Sequence, residues 1–159
     1  MSPAADHSAL RQRLLALLIA ETQQVRDFVA VLEQERKILG ERDVEPLFAL
    51  SEHKNRYARL LQQSADARTS LLGQAALKHD KSGVESLLGD PANPVWNNYL
   101  KAVAEARALN QANGALLTER LAHNHQALAI LMAHSDQPTV YGPDGAARTR
   151  PGSRLLGSY

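Results

Sequence analysis

The chain has 159 residues, room for one domain or one domain with a tail, and its 18 basic and 17 acidic side chains nearly cancel. No net field therefore argues for nucleic acid or an anionic membrane as a partner, and the lack of cysteine excludes disulfide and thiolate chemistry. Apolar residues make up 44% but aromatic ones only 4%, and the abundant Ala, Leu, Gln, Glu and Arg are good helix formers, so an all-α chain with thin, Leu/Ala-based interfaces is expected.

The N-terminal MSPAADHSALRQR lacks the apolar centre of a signal peptide, and the run LLALLIA is too short to span a bilayer. A soluble, cytoplasmic protein with no membrane insertion is the expectation. A first helix is predicted from about Asp6 to Leu39, because Leu10, Leu14, Leu17, Leu18, Val25, Phe28, Val29 and Leu32 recur at three- and four-residue steps on one face. Gly40 follows as a natural stop.

Asp43 is the expected N-cap of a second helix, with Glu45 and Pro46 in its first turn. Heptad positions run through Leu47, Lys54, Leu61 and Arg68, and through Leu50, Tyr57, Ser64 and Leu71. The polar members Lys54, Ser64 and Arg68 suit a helical hairpin better than a long two-stranded coiled coil. Lys54 and Arg68 are expected to snorkel along the edge of a narrow interface. Between Gly73 and Pro94 the pattern breaks. Ser82 to Glu85 has capping-box spacing ahead of Leu87 and Leu88, which predicts a short helix, and a turn cluster of Gly89, Asp90, Pro91 and Asn93 follows.

Asn93 and Pro94 then open a last long helix. Trp96, Val103, Leu117 and Leu131 share one heptad position with Asn110 and Asn124, for which core-facing, register-setting roles are expected. Leu100, Leu121 and Leu128 share the other with Arg107 and Gly114. Val95, Tyr99, Ala106, Leu109, Leu116, Ala127 and Ile130 lie offset. A helix docked on one side needs a single stripe, so the surplus must be covered by a bundle neighbour or by a partner. From His134 the helix signal dies in HSDQP, and the Gly/Pro-rich remainder is expected to be flexible. The predicted architecture is an elongated antiparallel bundle of three long helices and one short one over 1–133, with a flexible tail over 134–159.

Chemistry is not evident. There is no phosphate loop, dinucleotide fingerprint or HExxH, and GPDG follows no strand and opens no helix. His123 and His125 point about 200° apart on a helix and cannot chelate together, while His7, His53, His79 and His134 have no ligand-type neighbour at useful spacing. No enzyme activity, cofactor or metal is expected.

The stretch ALNQANGALLTERLAHNHQALAILM followed by TVYGPDG resembles the C-terminal part of the FlgN family, the flagellar export chaperones. The matching positions are Leu109, Asn110, Asn113 and Gly114, then Tyr141 to Gly145; upstream, Arg42, Asp43 and Lys54 match the family's second helix. The resemblance implies a chaperone of the type III export system that binds the C-terminal helices of hook–filament junction proteins, keeps them unassembled and presents them to the export gate. Partner binding is then expected at Leu109, Leu116, Leu117, Leu121, Leu128, Ile130 and Leu131, and gate contact at Tyr141. The alternative is a structural adaptor that self-associates as a homodimer through the last helix.

Overall fold

A computed structural model describes residues 3–135, 139–141 and 147–149. Helices α1 (Pro3–Leu39), α2 (Pro46–Gln74), α3 (Lys81–Leu88) and α4 (Pro94–Ser135) follow one another, and two three-residue strands, β1 (Thr139–Tyr141) and β2 (Ala147–Thr149), pair antiparallel with Val140 opposite Arg148. The expected three long helices and one short one are present. Most of the tail over 134–159 lies outside the described residues. The chain divides into two compact units, residues 1–116 and 117–159.

In the first unit, α1 and α2 form an antiparallel hairpin, and the start of α4 runs back alongside α1. One core cluster gathers Leu14 and Leu18 with Leu71, Leu72, Val84, Leu87, Leu88, Trp96 and Tyr99, so that α3 seals one end. A second cluster joins Val25, Val29 and Leu32 to Ala102 and Ala106, with Phe28, Leu61, Val103 and Leu109 at its margin. The apolar stripe of α1 faces these clusters, and both heptad lines of α2 are buried or half-buried, with Leu61 and Leu71 in the clusters or at their margin.

The helix ends show where local chemistry competes. Asp43 does not cap α2; its Oδ1 accepts from the Glu45 amide at 2.9 Å in a turn before the helix, and Pro46 starts α2 without needing a bond to its nitrogen. Nor is Ser82 the cap of α3. Asp80 takes that place, accepting from the Gly83 amide at 3.0 Å and from the Ser82 hydroxyl at 2.7 Å. A carboxylate accepts both donors at once, and these two bonds hold Asp80 below the usual carboxylate range. Gly89, at φ 73°, closes α3 in the left-handed conformation that glycine adopts without strain.

Candidate functional site

Two polar ties bind the three long helices of the first unit. In one, the Glu21 carboxylate of α1 receives Arg68 of α2 at one oxygen and the Tyr99 hydroxyl of α4 at the other, 3.0 Å away. Arg68 also donates to the Tyr99 oxygen at 2.9 Å and lies over the Tyr99 ring, whose other contact is a stack on Trp96 with centroids 5.4 Å apart. Burial opposes the charge on Arg68, but Glu21 and Tyr99 outweigh it and hold the guanidinium above its ordinary value. Burial likewise pushes the Tyr99 phenol up, against the pull of Arg68.

In the other tie, Lys54 of α2 donates to both oxygens of Glu35 of α1 at 3.0 and 3.1 Å. The Asn113 amide of α4 donates to Glu35 at 2.9 Å and to the Leu32 carbonyl at 2.7 Å. Asn113 is buried, and its Oδ1 has no hydrogen-bond partner among the described residues. The two ties are related by the heptad: Glu21 and Glu35, Lys54 and Arg68, and Tyr99 and Asn113 are each two heptads apart. Lys54 and Arg68 are therefore ion-paired members of the bundle, and the expected snorkelling is not what they do. Their partners lie 19 and 47 residues away, beyond the reach of any local pattern.

The asparagine expectation also needs correcting. Asn110 and Asn124 are exposed, and the buried asparagine is Asn113, three residues on from Asn110. The signal was present in the stripe of Tyr99, Ala106 and Asn113, which repeats every seven residues and turns towards α1.

The predicted partner-binding residues fall into three groups. Leu109 is half-buried against the second core cluster. Leu117 (42% exposed), Leu121, Leu128 (54%) and Leu131 (67%) are exposed, and Met132, which the sequence reading passed over, joins them. At about 100° per residue these five fall within a sector of roughly 100° on α4. Leu116 and Ile130 are exposed too but turn away from the centre of that stripe. Tyr141 lies in β1, and its side chain is outside the described residues.

Among the described residues no three His, Asp or Glu side chains gather as a metal site. No helix among them is long and apolar enough to cross a membrane. An open groove of about 440 Å³ in the first unit is bordered by Val25, Phe28, Leu61, Val103 and Ala106. It is mostly apolar, and its polar lining includes the Glu21–Arg68–Tyr99 tie.

Comparison with known proteins bears on this geometry. The chain is 27% identical over 141 residues to the flagella synthesis protein FlgN of Proteus mirabilis, covering 87% of this chain and 92% of that one. It is 42% identical to the protein of that name from Yersinia enterocolitica over 62 residues, 39% of this chain and 40% of that one. No solved structure matches. The family profile described as FlgN protein matches residues 1–149, and with a helical bundle and a long apolar last helix in the order described, the chain belongs to the FlgN family.

Proposed function

We propose that this protein is a flagellar export chaperone. It binds the C-terminal helices of the hook–filament junction proteins in the cytoplasm, prevents their premature assembly and delivers them to the type III export gate. The observation that supports the reading is the exposed stripe of Leu117, Leu121, Leu128, Leu131 and Met132. A client helix that coils with its own kind in a filament lays its apolar seam on such a stripe instead. Leu109, Leu116 and Ile130 are proposed as secondary client contacts, and Tyr141 as the contact to the gate.

Burying the exposed half of the four leucines of the stripe, and as much on the client, contributes about 6–12 kcal/mol gross. Association costs are of the same order, so the expected complex is micromolar rather than picomolar. Calorimetry with a junction-protein C-terminal peptide tests this. The parent chain should bind, Leu128→Asp should weaken binding at least tenfold, and Leu116→Asp should weaken it less. Unchanged binding by Leu128→Asp refutes this face. Loss of gate binding in Tyr141→Ala, with client binding kept, is the expected result for the tail.

The same stripe supports a second reading, an adaptor that self-associates through its last helix. Light scattering of the purified chain separates them: a tight dimer that Leu128→Asp converts to monomer, with no peptide binding, favours the adaptor.

A further inference from the structure

We infer that the groove in the first unit is the vacant fourth position of a helical bundle and accepts one acidic-flanked amphipathic helix from another protein. Three seams converge on it. From α1 come Glu21, Val25 and Phe28; from α2, Ala58, Leu61, Ala65 and Arg68; from α4, Tyr99, Val103, Ala106 and Asn110. Each set advances by alternating steps of three and four residues, the spacing of a coiled-coil seam. Three seams around one axis are the holes into which a fourth helix places its knobs.

Among the described residues of the first unit, no helix fills the position. Helix α3 is only eight residues long, and its apolar side chains go to the end cluster around Leu14, Leu18 and Trp96. Further along, Phe28, Leu61 and Val103 stay half-buried and border the open groove. Ala58, Ala65 and Ala106 keep its walls low, so a guest backbone can approach closely. The groove begins at the Glu21–Arg68–Tyr99 tie, and its lining on α4 runs from Tyr99 to Asn110, about 17 Å along the helix axis. That length fixes a guest seam of about three turns.

Charge selects the flanks of the guest. Arg107 on the rim is exposed and makes no ion pair among the described residues, while Glu21, the carboxylate lining the groove, is already taken by Arg68. A guest with a carboxylate beside its apolar seam pairs with Arg107, and a lysine there is repelled. None of the residues lining it belongs to the leucine stripe, and the two proposals stand or fall independently.

The test uses the full chain and two synthetic 21-residue helical peptides, on the order of the length above with frayed ends allowed for. Both carry Leu and Ala at the seam positions; one has Glu on its flanks, the other Lys. Fluorescence anisotropy should show the Glu peptide binding at least tenfold more tightly. Arg107→Glu, an exposed change that the fold tolerates, should reverse the preference, and Ala65→Phe should abolish binding while circular dichroism stays helical. Leu128→Asp should leave binding unchanged. Equal binding of both peptides overturns the proposal, as does Glu-peptide binding that survives both Arg107→Glu and Ala65→Phe. Binding lost only in Leu128→Asp moves the guest to the leucine stripe. Sedimentation showing an Ala65-dependent dimer assigns the groove to a second copy instead.

Discussion

Removing either side of the Glu21–Arg68 pair should destabilise the bundle, and unequally. The Glu21 side chain is 3% exposed and that of Arg68 is 20% exposed. In Arg68→Ala the Glu21 carboxylate stays buried with only the Tyr99 hydroxyl to receive, a loss of about 3–5 kcal/mol for a buried pair broken from one side. In Glu21→Ala the guanidinium keeps its bond to Tyr99 and reaches water through the groove, so about 2–3 kcal/mol is expected after discounting for that access. Replacing both, as Glu21→Leu with Arg68→Met, removes the charges together with the need to pair them. That double variant should lie within about 1 kcal/mol of the parent. Urea unfolding is the assay, read by the fluorescence of Trp96, the single tryptophan, buried and stacked on Tyr99. At about 2–4 °C per kcal/mol for a chain of 159 residues, Arg68→Ala should melt at least about 6 °C lower. Single variants that each cost under about 1 kcal/mol, or a double variant as costly as the two summed, would refute the buried-pair reasoning.

Two further predictions concern the fold. A Cβ at Gly83 would sit 1.8 Å from the Lys78 carbonyl oxygen, so Gly83→Ala must displace the entry to α3 and should lower the urea midpoint by the equivalent of about 1–3 kcal/mol. Gly114→Ala, whose new Cβ meets nothing within 4 Å, serves as the control and should be neutral or stabilising. The Tyr99 phenol is held above its ordinary 10.0 in the folded chain, so its contribution is complete below that value and is lost as pH rises through the raised one. Melting temperatures should fall on the alkaline side of 10.0, and Tyr99→Phe should remove most of that slope. A parent and a variant with the same alkaline slope would assign the loss to other groups.

What the sequence determined by itself is periodic and local. Steps of three and four along α1, and the heptad lines through Leu47 to Arg68 and Leu50 to Leu71 in α2, named the buried Leu14, Leu18, Val25, Val29, Leu32, Ser64 and Leu71, because helix geometry fixes which side chains share a face, but passed over Glu21, Thr22, Val31 and Leu72. Asn93 capped α4 as its side chain requires, accepting from the Val95 amide at 3.0 Å. The direction from which a neighbour approaches is another matter. That azimuth made Asn113 the buried asparagine in place of Asn110, and gave Lys54 and Arg68 carboxylates contributed by α1. It also covered the first apolar half of α4 while leaving Leu117 to Met132 exposed. Periodicity is a property of one helix, whereas burial and charge pairing belong to several helices at once, and only the tertiary structure brings those helices together.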